Sequence, residues 1–246
     1  MLACALLPAC ADQQESLIVL RAPLWPDAGD CTIDGGADVG LIEGVLDISQ
    51  GTPYLLPLAV FNNLQSQNTS SSNAGIITNE IQLRDASVEL DSEDAPALMD
   101  PLTDANKDFD VTLASDSVAP GEAVGVAVEV IGRDASSKLR DQLRTLGDIQ
   151  PHVNATVVVH GLRSGNTAGK IGIIDAREFT FPIRICDGCL LTCAGCEEVV
   201  DEVTGEILRP KGACPDPAFE PGTFVGGICG NAQDFFYGPP ECELPS

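Results

Sequence analysis

"IQLRDASVEL", residues 81–90, alternates apolar and polar side chains: Ile81 and Leu83, then Val88 and Leu90, point one way, with Arg84 and Glu89 in the outward set. A two-residue period over such a run marks a β-strand with one face in a core and the other in water. Neighbouring stretches repeat the habit. "YLLPLAVFNNL" (54–64) carries Leu, Val and Phe up to an Asn pair, and "DFDVTL" (108–113) alternates Phe109, Val111 and Leu113. "AVGVAVEVIG" (123–132), "VNATVVVHGL" (153–162) and "EFTFPIRI" (178–185) complete a set of short β runs separated by turn signals. The polar tract "QSQNTSSSN" (65–73) reads as a loop. This pattern predicts a mainly β protein, an antiparallel β-sandwich of immunoglobulin-like kind.

One helix interrupts the strands. In "DASSKLRDQLRTLG" (134–147), Ala135, Leu139, Leu143 and Leu146 recur at helical spacing, with Gly147 placed to end the helix. Asp134 or Ser136 is the expected cap. Lys138, Arg140 and Arg144 form a basic patch on its outer face, read as a solvated surface rather than a docking site.

Toward the N-terminus the character changes. "MLACALLPAC" is apolar, and Leu7-Pro8-Ala9-Cys10 resembles the lipobox of bacterial lipoproteins, which implies a lipid on Cys10. No Lys or Arg precedes Cys10 and the apolar stretch is short, as in a signal whose start lies further upstream. Residues 1–9 are therefore expected to be a truncated lipoprotein signal. Residues 10–50, including the Gly- and Asp-rich "PDAGDCTIDGGADVG" (26–40), are expected to supply the anchor, a linker and a first strand, and 51–186 the sandwich.

Toward the C-terminus, seven of the ten cysteines fall within the last 61 residues, among many Pro and Gly. Only "EEVVDEVTGEILRP" (197–210) suggests a hairpin, turning near Thr204-Gly205. Residues 187–246 are expected to form a small module that needs covalent staples in place of a core. "CDGCLLTCAGC" (186–196) holds two Cys-x-x-Cys pairs three residues apart. Zinc ribbons separate such pairs by about 15–20 residues, and a thioredoxin-like centre needs a βαβ unit that is absent from the pattern. Disulfides among Cys31, Cys186, Cys189, Cys193, Cys196, Cys214, Cys229 and Cys242 are the expectation, with 105 connectivities open. If all eight are oxidised, Cys31 must join one of the other seven.

Thirty-seven acids against thirteen bases give a net charge of −24. Such a surface repels nucleic acid and anionic headgroups, so the only membrane contact expected is the lipid. The expectation is a chain that is not an enzyme and carries no cofactor. His152 and His160, eight residues apart in one strand, stand about 26 Å from each other and cannot share a metal or a proton. No G-x-S-x-G, H-E-x-x-H or G-x-G-x-x-G is present, and "GNTAGK" (165–170) is a hairpin turn one residue short of a phosphate loop. Asp104, Asn106, Asp108 and Asp110, with Asp100 nearby, open like an EF-hand loop. However, Phe109 stands where Gly is needed and Ser115 where the bidentate Glu belongs.

"FPIRICDGCL" (181–190), after a Val-rich strand and a Gly-rich hairpin, resembles uncharacterised envelope lipoproteins of myxobacteria and related deltaproteobacteria. The preceding strands are similar to the immunoglobulin-like domain of desiccation-related LEA and WHy proteins, over roughly residues 54–190. The resemblance implies a bacterial cell-envelope protein, outer-membrane-anchored or secreted, with a structural or adhesive role toward a protein or glycan partner. Rival expectations are a metal-binding module, with calcium at the Asp104 loop or zinc at Cys186–Cys196, and a secreted hydrolase using carboxylates.

Overall fold

The computed structural model describes residues 15–25, 31–65, 79–114, 117–147, 149–164, 172–190, 199–200, 207–209 and 233–234. In chain order the strands are β1 (Leu17–Pro23), β2 (Gly40–Leu41), β3 (Gly44–Asp47), β4 (Tyr54–Asn62), β5 (Ile81–Asp91), β6 (Asp108–Thr112), β7 (Ser117–Val118), β8 (Ala123–Ile131), β9 (His152–Arg163), β10 (Gly172–Asp175), β11 (Phe179–Cys186), β12 (Val199–Val200) and β13 (Ile207–Arg209). The helices are a single turn, α1 (Asp104–Lys107), and α2 (Arg133–Leu146), with 3₁₀ turns at Ile48–Gln50 and Pro96–Met99.

These strands form two main sheets. One runs β2-β1-β4-β8. The other runs β3-β11-β9-β5-β6, with β10 also on β9 and β7 also on β5. Leu56, Leu58, Val60, Val126 and Val128 from the first sheet share one core with Ile81, Leu83, Val88, Val157, Val159 and Phe181 from the second. Alternation puts them there: β9 buries every second residue from Val153 to Gly161.

β5 shows why its apolar residues change parity between Leu83 and Val88. Its pairing with β9 slips between Leu83 and Asp85, so Arg84 is the extra residue of a bulge. Ile81, Leu83, Ala86, Val88 and Leu90 are all buried as a result, and Ser87 turns to the outer face.

Three features depart from the sequence reading. The pairing is not wholly antiparallel, because β3 lies parallel to β11, Gly44 beside Ile183 through Asp47 beside Cys186. The stretch 10–50 supplies strands to both sheets, β1 and β2 to one and β3 to the other. Helix α2 is capped by Gly132 without a side-chain bond, so neither Asp134 nor Ser136 serves. Only Gly132 separates β8 from the helix, which sets Asp134 in the first turn and buries Ser136. There Asp134 still faces the positive end of the helix.

The helix otherwise follows its pattern. Ala135, Leu139 and Leu143 are buried, Leu146 packs on the core, and the Gly147 N–H bonds Leu143 O. It rests on both 3₁₀ turns. Its basic residues are engaged locally, Lys138 with Asp134 at 2.7 Å, Arg140 with Asp141 at 3.6 Å and Arg144 with Asp187 at 2.7 Å. β12 and β13 pair antiparallel, the two legs of the expected 197–210 hairpin. The legs of the "GNTAGK" hairpin are β9 and β10, and its turn lies outside the described residues.

Candidate functional site

β3 is an edge strand of the larger sheet, and its open side receives two residues from the distant tail. Asp234 N donates to Val45 O at 2.8 Å, and Val45 N donates to Asp234 Oδ1 at 2.7 Å. Gln233 bridges Leu46 antiparallel. The Gln233 amide also reads both main-chain groups of Leu55, accepting from its N–H and donating to its C=O, each at 2.8 Å. Leu55 is open to this because β4 slips against β8 between Tyr54 and Leu55. The wholly buried Tyr54 donates its hydroxyl to the Asp234 carboxylate, 2.9 Å to Oδ2. Burial pushes Asp234 up to about 6, against the bonds from Val45, Tyr54 and Gln233 that favour its charge. Burial first, then the charge of Asp234, raises the Tyr54 phenol. A strand edge that would otherwise offer unpaired main-chain groups is thereby covered.

The last residue of β3 holds the cysteines. Cys186 and Cys189 form a disulfide. Asp47, wholly buried, accepts from Gly188 N at 2.8 Å and Ser49 N at 3.0 Å through Oδ1, and from Leu190 N at 3.0 Å through Oδ2. Gly188 has a φ of 85°, a left-handed turn that suits glycine and lets the loop fold back on Asp47. Cys31 is also disulfide-bonded, to a cysteine outside the described residues. Cys10, Cys193, Cys196, Cys214, Cys229 and Cys242 all lie outside them.

Among the described residues, one group offers three metal-ligand atoms within 4.8 Å: Asp47, Cys186 and Cys189. With the two sulfurs bonded to each other neither is a thiolate, so zinc there requires reduction first. The calcium candidates are not gathered. Asp104 lies in α1, and the Asn106 carboxamide oxygen is taken by Thr103 at 3.0 Å and Lys138 at 2.8 Å. Asp108 and Asp110 stand exposed on β6, and Asp100 closes the Pro96–Met99 turn. The chain leaves as an extended strand where an EF-hand loop would have to wrap.

Both histidines sit on β9 as expected, in separate settings. His152 Nδ1 lies 3.2 Å from Asp94, and its Nε2 lies 3.7 Å from Glu43, which also pairs with Arg184. Desolvation, which acts upward on Asp94, is outweighed by bonds from the His152 main-chain and ring N–H and from Ser92, and the carboxyl is held below its ordinary range.

His160 is the centre of a row crossing four strands. Its Nδ1 is 2.7 Å from Asp175 Oδ1 on β10 and its Nε2 is 2.8 Å from Ser87 Oγ on β5. Ser87 Oγ in turn lies 2.9 Å from Asp110 Oδ1 on β6. His160, Ser87 and Asp110 line an open cleft of about 270 Å³, together with Arg84, Asp85, Leu162 and Ile173.

The sequence pattern separates His160 from His152 but does not connect it to Ser87 or Asp175. Register is the signal that connects them: His160 pairs with Asp175, Ser87 pairs with Asp110, and the bulge brings Asp85 opposite His160. No helix among the described residues is long and apolar enough to cross a membrane. No protein-family model matches the chain, and no curated protein is significantly similar to it.

Proposed function

We propose that the chain is an exported bacterial cell-envelope lipoprotein, tethered by a lipid on Cys10. In this reading it presents a disulfide-braced, immunoglobulin-like sandwich in a structural or adhesive role toward an envelope protein or glycan. The observation that carries the reading is oxidation: the Cys186–Cys189 disulfide is built into the end of β11 on the buried Asp47, and Cys31 is bonded as well. Such bonds persist in exported proteins and are rare in the cytosol. The net charge of −24 fits an outward-facing soluble domain.

The sheet order supports the immunoglobulin-like assignment. Taking β1, β4, β5, β8, β9 and β11 as strands A, B, C, E, F and G places A-B-E against G-F-C.

The test is expression behind a complete signal sequence in a bacterial host, with labelled palmitate. The wild-type protein should incorporate label and partition into detergent, and Cys10→Ser should do neither. Equal labelling of the variant ends the reading.

The Asp47, Cys186 and Cys189 group keeps a second reading in view, a zinc site in the reduced protein. Protein purified from the periplasm without reductant should hold far less than one zinc per chain. Stoichiometric zinc would favour the metal module.

A further inference from the structure

We infer that Ser87, His160 and Asp175 form an acyl-transfer site on the outer face of the larger sheet, with Ser87 as nucleophile toward short-chain esters. The geometry is that of a nucleophile, its base and the group that orients the base. Ser87 Oγ is 2.8 Å from His160 Nε2, and His160 Nδ1 is 2.7 Å from Asp175 Oδ1. Three strands hold the set rigid. β5 supplies Ser87, β9 His160 and β10 Asp175, and each strand is paired through its ladder with the next. The mouth is open, since Ser87 and His160 line a cleft of about 270 Å³ with Asp175 behind the imidazole. Leu162 and Ile173 lie beside the row, and Ile173 is 73% exposed. An exposed isoleucine at the rim of a polar row gives a short aliphatic acyl chain a surface to rest on. Arg84, exposed at the bulge, adds a positive charge to the lining of the same cleft.

The chemistry balances without a cofactor. Ser87 Oγ bonds to the ester carbonyl carbon while His160 Nε2 takes its proton, and the carbonyl π pair moves onto oxygen, toward Arg84. Collapse breaks the carbon–alkoxy bond, and the leaving alcohol takes the proton from His160. Water then attacks the acyl-serine and gives a proton to Nε2, and the Ser87–acyl bond breaks as that proton returns to Oγ. The net reaction is ester plus water to acid plus alcohol.

Asp110 makes the assignment testable, because Ser87 has one proton and two neighbours for it. Donated to Asp110 at 2.9 Å, that proton leaves Ser87 Oγ as acceptor from Nε2–H, and the imidazole carries both protons between two carboxylates. Such a row braces the sheet and cannot activate serine. Donated to His160, the proton leaves the imidazole neutral at Nε2 and ready to act as base. Asp110→Asn removes the anionic competitor and leaves the triad members in place.

The full chain, unreduced, is incubated with a fluorophosphonate probe and with p-nitrophenyl butyrate, each variant being checked for a wild-type melting transition. The expected result is probe on Ser87 by peptide mapping and ester hydrolysis lost in Ser87→Ala. His160→Gln should slow labelling by about 100-fold, Asp175→Asn should slow it less, and Asp110→Asn should raise the rate. No labelling of Ser87 above that of the urea-unfolded chain overturns the inference. So does equal labelling of His160→Gln, and so does loss of labelling in a folded Asp110→Asn, which would assign Asp110 as the activating base.

Discussion

Asp234 is an acid placed where its charge is poorly solvated. Unfolded it titrates near 3.8, and folded near 6 because burial outweighs its three bonds. The folded chain therefore holds this proton more tightly than the unfolded one. The contribution is fully favourable below about pH 4 and is lost as pH rises through 6, by about 3 kcal/mol in all. Asp234→Asn should raise the melting temperature at pH 7.5 and flatten the dependence between pH 4.5 and 7.5 relative to wild type. Parallel pH profiles for the two proteins would refute the assignment. The seat is narrow: a Cβ on Gly44 would overlap the Tyr54 hydroxyl, so glycine is needed there for space. None of this was legible in the sequence, where Gln233 and Asp234 stand in an aperiodic tail some 180 residues from their partners. The Asn pair at 62–63 was visible as a strand end. Its work was not: Asn62 Nδ2 bonds Asn79 O and Val118 O, both at 2.8 Å, tying β4 to β7.

Elements were legible where burial is periodic. β5, β9, β11 and α2 all follow from side-chain spacing, because one face of each meets a common core. What spacing does not carry is who pairs with whom. The parallel contact of β3 with β11 joins residues about 140 apart, and β3 itself is four residues in a Gly-rich stretch. The Ser87–His160–Asp175 row was hidden for the same reason, since register assembles it. In α2, Leu139 is wholly buried against the core. Leu139→Ala should cost about 3 kcal/mol in denaturant unfolding, and a loss under 1 kcal/mol would show that the helix packs loosely. Asp47 plays a comparable part for the cysteine loop after β11. With Asp47→Ala the Gly188 and Leu190 N–H groups lose their acceptor, so Cys186–Cys189 should be reduced by dithiothreitol at least several-fold faster. Thiol release at the wild-type rate would mean that the carboxylate does not hold the loop.

At the scale of the whole molecule, the described parts of the two ends meet at Leu55, near the start of β4. Ile33, two residues beyond Cys31, clusters with Trp25, Leu55 packs against that cluster, and Leu55 is the residue held by Gln233. Cys229 lies four residues before Gln233, within about 14 Å of extended chain, and is the expected partner of Cys31. Such a bond closes a loop of nearly 200 residues, for which the chain-entropy relation gives ~5 kcal/mol. Non-reducing peptide mapping after alkylation should recover a Cys31–Cys229 peptide, and Cys31 joined to any other cysteine would overturn that pairing. The parallel β3–β11 contact also has a mechanical meaning. Tension entering at Gly44 and leaving at Cys186 pulls the two strands past each other along their length. All four residue pairs then bear the load together instead of parting one by one. A pull from the N-terminal side meets the β1–β4 ladder first, and the β3–β11 seam resists whatever passes beyond it.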